Sequence, residues 1–134
     1  MMRLNFTCLI GLAAICAATT ASAENLDASK PLVCTLNGSA QCNAEAACIQ
    51  VTLDQIDLSQ ELRVDFANRQ LSSKLNERTS PIDDIDELDT VLVLQGHQNG
   101  RGWTMVIDRA TGHLSAALAE SAGAFVISGE CRTD

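Results

Sequence analysis

The stretch LVLQGHQNGRGWTMVI, residues 92–107, decides the fold because it predicts a β-hairpin together with its register. Asn99 and Gly100 at its centre readily take the positive φ angles of a type I′ turn, which joins two antiparallel strands through two residues. Counting outward from this turn places Gln98 opposite Arg101. The large apolar side chains then share one face of the hairpin. They belong to the opposed pairs Gly96 with Trp103, Leu94 with Met105 and Leu92 with Ile107.

Trp103 has a structural and a functional interpretation in this register. An aromatic ring over the strand glycine Gly96 covers the surface that the missing side chain leaves open, which predicts hairpin or core packing. The alternative is an exposed ring that contacts a ligand. The candidate binding residues of the chain are those in and beside the turn: His97, Asn99, Arg101 and Trp103.

Alternation of apolar and polar residues predicts strands along most of the remaining chain. The predicted strands are Leu32–Leu36, Cys48–Leu53, Leu62–Phe66, a weaker strand near Leu71, Leu114–Leu118 and Ala124–Ser128. A second tight turn is expected at Asp108–Gly112, since Asp accepts backbone hydrogen bonds and Gly takes the left-handed conformation. We therefore predict an all-β fold: a small antiparallel meander forming a barrel or sandwich of about six to eight strands.

The segment from Ser80 to Asp89 predicts a different local structure. Ser80 can cap a helix and Pro81 suits its first turn, so a short helix is expected here. The acidic run Asp83 to Asp89 suggests a calcium loop. It lacks the D-x-D-x-D-G register of such loops, and a solvated acidic turn is the preferred interpretation.

Residues 1–23 predict a secretory signal that is cleaved before Glu24. Arg3 gives a positive start, Leu9–Ala18 a short apolar run, and Ala21–Ala23 the small residues of a cleavage site. A retained membrane anchor, or acylation at Cys8 or Cys16, is the alternative; the apolar run is short for a span. We predict a flexible segment over residues 24–30 and a single β domain over 31–134.

The predicted export into an oxidising compartment decides how the cysteines are interpreted. Removing residues 1–23 leaves an even set of four. Their spacing contains no C-x-x-C and fits no common zinc site, so disulfides are predicted, with Cys34 bonded to Cys131 and Cys42 to Cys48. In the chain-entropy model the bridges contribute about 4.7 and about 2.4 kcal/mol respectively.

Charge and composition limit the partners. The chain has 9 basic and 17 acidic residues, and since the signal contains one basic and no acidic residue, the mature net charge is −9. Nucleic acid and an anionic membrane surface are therefore not expected as partners. No stable membrane anchor is expected because the apolar run is short. No cofactor or metal site is predicted, and the chain is expected to be a monomer. The acidic charge suits a basic protein partner in or outside the envelope.

Several of these motifs occur together in a known group of proteins. Arg63–Phe66, Leu92–Gly96, Gln98–Trp103 and the closing Gly129–Cys131 together resemble an uncharacterised family of small exported proteobacterial proteins. Its pattern is an LQG-x-QNGRGW run, an I-D-x-x-T-G turn and a terminal G-x-C. The resemblance implies a periplasmic, disulfide-bonded, all-β protein. It implies no catalytic residue.

The expected function is a non-catalytic periplasmic or secreted domain that binds another macromolecule. A Ser-His-Asp set could be drawn from His97, His113, Asp108 and Ser115, but no nucleophile elbow accompanies it. One alternative is inhibition of a basic hydrolase such as lysozyme, on size, compartment and charge, although the S-G-x-x-Y segment of known inhibitors is missing. Another is a carrier of a small apolar ligand, for which the sequence predicts little room.

Overall fold

The structure, a computed structural model, describes residues 24–45, 47–74 and 77–134. The predicted signal, residues 1–23, lies outside the described residues. The described part contains ten strands and one 3-10 turn, η1 (Asp54–Ile56). The strands are β1 (Leu32–Cys42), β2 (Ile49–Gln50), β3 (Glu61–Asp65), β4 (Gln70–Ser73), β5 (Thr79–Pro81), β6 (Asp84–Glu87), β7 (Val91–Gln98), β8 (Arg101–Asp108), β9 (His113–Glu120) and β10 (Gly123–Thr133).

All ten strands belong to one antiparallel sheet, so the all-β prediction is confirmed. Nine follow the order β5-β4-β3-β1-β10-β9-β8-β7-β6, and β2 pairs with β1. The sheet curls until β5 lies beside β7. Because β5 and β6 are consecutive in the chain, residues 79–87 join the two ends of the curled sheet. We call the contact between β5 and the β7–β8 hairpin the seam.

The predicted helix at Ser80–Asp83 is wrong, because this segment forms β5 and the step into β6. The Ile82 amide donates to the Arg69 carbonyl at 2.9 Å, and the next amide, of Asp83, donates to the Gln95 carbonyl at 2.8 Å. Two successive amides therefore donate hydrogen bonds to residues at opposite ends of the sheet. Sheet partners on both sides outcompete the local capping signal, as tertiary context often does. β5 and β6 also raise the strand number above the predicted six to eight.

The hairpin of β7 and β8 has the predicted register at every pair. Asn99 and Gly100 have φ of 52° and 77°, as a type I′ turn requires. The following turn also matches its prediction: Gly112 has φ of 77°, and the Asp108 carboxylate accepts hydrogen bonds from the Ala110 and Thr111 amides.

Alternate residues of the strands point into the curled sheet and form one core. Leu32, Val64, Leu92, Leu94, Ile107 and Leu114 are fully buried there. This alternation is the period-two pattern from which the strands were predicted.

Three predicted strands have boundaries that differ from the observed ones by several residues, and one of them is β10, which continues past Ser128 to Thr133. β1 continues past Leu36 to Cys42, with a register shift against β10 between Leu36 and Gly38. The strand predicted over Cys48–Leu53 is reduced to two residues, and its Ile49 side chain is 60% exposed. In the sheet only Ile49 and Gln50 pair with β1. Val51 and Leu53 are partly buried against the core, as the alternation predicted, although they lie outside the strand.

Both predicted disulfides are present. The long disulfide, Cys34–Cys131, joins directly opposed residues of β1 and β10 in the core. The short disulfide, Cys42–Cys48, closes the loop between β1 and β2. Two disulfides in a small domain indicate an oxidising, extracytoplasmic environment.

The segment 24–30 is attached to the domain at Leu26, which the sequence did not predict. Leu26 is buried in the core. Its amide donates to the Arg109 carbonyl at 2.9 Å, and its carbonyl accepts from Arg109 Nε at 2.7 Å. Arg109 also donates to the Leu88 carbonyl and pairs with Glu87. In the described residues, no helix has the length and apolar character needed to cross a membrane.

Candidate functional site: the cavity at the hairpin end of the sheet

A cavity of about 820 Å³ lies inside the curled sheet, at the end that carries the β7–β8 turn. Its deepest lining comes from inward residues of β1, β8, β9 and β10. These are Leu36, Met105, Ala116, Leu118 and Ile127, which we call the apolar wall. Their side chains face inward because strand alternation places them there, and they continue the core directly.

Hydroxyl groups also line the cavity. We call Ser59, Ser73 and Ser80 the hydroxyl wall; they lie before β3, on β4 and on β5. Ser80 Oγ accepts from Trp103 Nε1 at 3.1 Å, and Ser59 Oγ accepts from the Glu61 amide at 3.4 Å. Both hydroxyls therefore use their oxygen in these bonds and retain a proton to donate.

Ser73 differs from the other two serines. Its hydroxyl oxygen is buried and has no hydrogen-bond partner among the described residues. Native proteins pair the large majority of their buried polar atoms, so this hydroxyl is an exception. Its oxygen has almost no accessible surface, so a ligand in the cavity does not reach it.

Two ion pairs stand at the cavity opening. Arg101 Nε lies 2.7 Å from Glu120 Oε2, with the two side chains 35% and 26% exposed. The Arg101 guanidinium also lies over the Phe125 ring, 5.8 Å from its centroid, at cation–π distance. The second pair joins Arg78 to Asp57. Each cation at the opening is therefore matched by an anion.

The seam beside the cavity is held by side chains of the β7–β8 hairpin. Gln98 Nε2 donates to the Thr79 carbonyl at 2.6 Å, and Trp103 donates to Ser80. On the other side, the Arg69 guanidinium donates to the carbonyls of Ile82 and Asp83. These bonds fix the position of β5, which supplies part of the hydroxyl wall.

Three of the four predicted binding residues line the cavity: Asn99, Arg101 and Trp103. Trp103 combines both interpretations given to it, since its ring also lies against Gly96. His97 is elsewhere. Its side chain is exposed and its Nδ1 lies 2.6 Å from Asp83 Oδ2, so it acts at the seam rather than in the cavity.

The sequence analysis missed Ser73 and Glu120 as cavity residues. The alternation that predicted their strands would have placed both inward, since Ser73 lies two residues after the buried Leu71 and Glu120 two after Leu118. A search for apolar periodicity does not select polar residues at inward positions. Such residues supply the hydrogen-bonding and charged groups of a cavity.

The residues considered for a Ser-His-Asp set are not assembled. Asp108 Oδ1 is occupied by its turn, where it accepts from the Thr111 amide at 2.8 Å. This amide bond is the first cause of the lowered pKa of Asp108, and the Thr111 hydroxyl adds to it. His113 and Ser115 lie on the exposed outer face of β9. In the part of the chain that the structure describes, no three His, Cys, Asp or Glu residues are grouped as a metal site would require.

Comparison with known proteins adds no relative to these observations, since no family model, curated protein or solved structure matches the chain. The site must therefore be interpreted from its own geometry.

Proposed function

We propose that this chain is a non-catalytic, periplasmic binding domain whose cavity takes a small, largely apolar ligand. The observation that carries the proposal is the cavity of about 820 Å³, which is lined by the apolar wall and by the hydroxyl wall. Its volume lies within the range of about 300 to 1,000 Å³ that is typical of small-molecule sites, and its lining is divided about equally between polar and apolar residues. The disulfides and the predicted signal support the periplasm.

This proposal favours the carrier among the functions that the sequence suggested. The sequence argues against a carrier because a short chain with few aromatic residues is expected to leave little room for a ligand. The structure has that room because small residues stand at inward positions, notably Ala116 on β9 and the serines of the hydroxyl wall. Protein interiors are otherwise close-packed, so open space of this size among ordered strands is a feature that supports binding.

A non-catalytic role is supported by the chemistry of the cavity lining. Its described residues include no histidine and no cysteine, and both of its cations are held in ion pairs. A serine nucleophile would need an adjacent base within hydrogen-bond reach. The lone Ser73 oxygen has no such partner among the described residues.

The experiment is to fill the cavity without touching the outside of the sheet. Ala116→Phe places a ring in the cavity, while Ala117→Phe, the next residue, places the same ring on the exposed outer face. Binding of Nile red, a neutral apolar dye, is measured by fluorescence for both variants and the wild type, with circular dichroism to check folding. We expect Ala116→Phe to weaken binding by at least about tenfold and Ala117→Phe to leave it unchanged.

Equal binding by both variants would contradict the cavity as the site. If Ala116→Phe fails to fold, Ala116→Leu fills less of the space and should weaken binding to an intermediate degree. Full binding by a folded Ala116→Leu variant together with no effect of Ala116→Met would likewise count against the proposal.

A further inference from the structure

We infer, on the basis of the proposed ligand site, that the ligand is an uncharged amphiphile: a hydrocarbon body with neutral oxygen acceptors such as those of an ester, ketone or alcohol. Three observations define this class. They are the balanced charges at the opening, the donors of the hydroxyl wall and the side chains of the apolar wall.

The charges at the opening select against an ionised ligand. The two arginines and the two acids that line the cavity form the pairs Arg101–Glu120 and Arg78–Asp57. A carboxylate or an ammonium would either break one pair and strand its other member, or bring an uncompensated charge into a partly buried space. The cost is greatest at Arg101–Glu120, whose side chains are 35% and 26% exposed, and small at Arg78–Asp57, whose side chains are 62% and 60% exposed and screened by water.

The hydroxyl wall selects for hydrogen-bond acceptors. Ser59 and Ser80 use their oxygens to accept from protein N–H groups, which leaves their protons for a ligand oxygen. A pure hydrocarbon would leave these two donors without a partner, whereas an ester or ketone oxygen would satisfy them.

The apolar wall supplies the remaining surface for binding. Leu36, Met105 and Ile127 line the cavity together with the hydroxyl wall and present no polar atom on their side chains other than the Met105 thioether. A ligand that matches both walls must therefore be polar along one side or at one end, and hydrocarbon elsewhere. Sugars, which carry hydroxyls on every side, fit this division poorly.

Trp103 provides the means to test the inference, because it is the single tryptophan of the chain and lines the cavity. Its fluorescence is followed while the oxidised protein is titrated with methyl octanoate, octanoate and octylammonium, which share a chain and differ in charge. We expect methyl octanoate to bind at least about tenfold more tightly than either ion. Equal or tighter binding of an ion would overturn the inference.

The outcomes separate this inference from the proposed function. If Nile red and all three octyl compounds fail to bind, the proposed function is wrong and the inference with it. If Nile red binds but methyl octanoate does not, or if an ion is preferred, the site stands and its proposed ligand class is wrong.

Two variants test the roles of individual groups. Ser59→Ala removes one of the hydroxyl donors that line the cavity and should weaken methyl octanoate binding about fivefold. The matched control Ser115→Ala, on the exposed face of β9, should have no effect. Glu120→Gln leaves Arg101 without its anion, so octanoate should gain affinity relative to octylammonium. An unchanged order of the two ions in Glu120→Gln would show that the ion pair does not set selectivity.

Discussion

Replacing Gly96 by alanine tests the packing that closes the sheet beside the cavity. A Cβ atom at this position would lie 2.4 Å from Trp103 Cζ2 and 2.5 Å from the Pro81 carbonyl oxygen. Carbon atoms in contact normally stay about 3.5 to 4.0 Å apart. Neither neighbour can yield easily, because the Pro81 oxygen is backbone of β5 and the Trp103 ring is held by its hydrogen bond to Ser80.

The expected cost follows from these two contacts. Forcing an extra carbon into a packed site costs about 1 to 3 kcal/mol. If the ring moves, loss of the Trp103–Ser80 hydrogen bond adds about 1 kcal/mol. We therefore expect Gly96→Ala to lower the free energy of unfolding by about 2 to 4 kcal/mol. For a domain of this size, the melting temperature should fall by roughly 10 to 20 °C.

The same hairpin offers a matched control at Gly102. A Cβ atom there would meet nothing within 4 Å, and the residue is not in the left-handed region. Gly102→Ala should leave stability unchanged or raise it by about 0.4 to 1 kcal/mol, because alanine restricts the unfolded chain.

The assay is urea unfolding and thermal circular dichroism of both variants with the disulfides oxidised. If Gly96→Ala and Gly102→Ala unfold within about 0.5 kcal/mol of each other, the close packing of Trp103 on Gly96 and β5 is refuted.

Three further predictions concern the bridges, the pH dependence and the N-terminal segment. Replacing both cysteines of the long disulfide by alanine should lower the free energy of unfolding in urea by about 4.7 kcal/mol, and the same replacement at the short disulfide should lower it by about 2.4 kcal/mol. A larger loss at the short disulfide would contradict the loop-length argument. The pKa of Asp108 is lowered, first by the hydrogen bond from the Thr111 amide. The ionised carboxylate therefore stabilises the fold above the unfolded pKa of about 3.9, and this stabilisation is lost as pH falls through the folded value. Asp108→Asn should flatten the acid decline of the melting temperature. Lysine in Arg109→Lys cannot reproduce the two hydrogen bonds that the guanidinium donates to the Leu26 and Leu88 carbonyls. Hydrogen exchange at the Leu26 amide should therefore accelerate while core amides stay protected. An unchanged exchange rate at Leu26 would show that Arg109 does not hold the segment.

Much of the fold could be predicted from the sequence because its signals are local. The Asn99–Gly100 turn and the alternation on either side of it determine the register of β7 and β8 without reference to the rest of the chain. The disulfide pairing followed from spacing and compartment. These features depend on neighbouring residues or on few distant ones.

The segment 79–87 could not be predicted in the same way. Its capping residues favour a helix locally, and only the two open ends of the curled sheet make it a strand. The cavity has the same origin: its apolar and hydroxyl walls come from distant strands, and their separation depends on how far the sheet curls. Sequence periodicity shows which residues point inward, but it does not show how much space they leave.

The most direct test of the ligand-binding account is native mass spectrometry of the protein exported through its own signal, purified without detergent and compared with its Ala116→Phe variant. The account predicts that the wild type carries a neutral organic molecule, or takes one up from a host lipid extract, while Ala116→Phe remains at its bare mass. A bare wild type that takes up nothing from the extract, or equal uptake by both proteins, would contradict it.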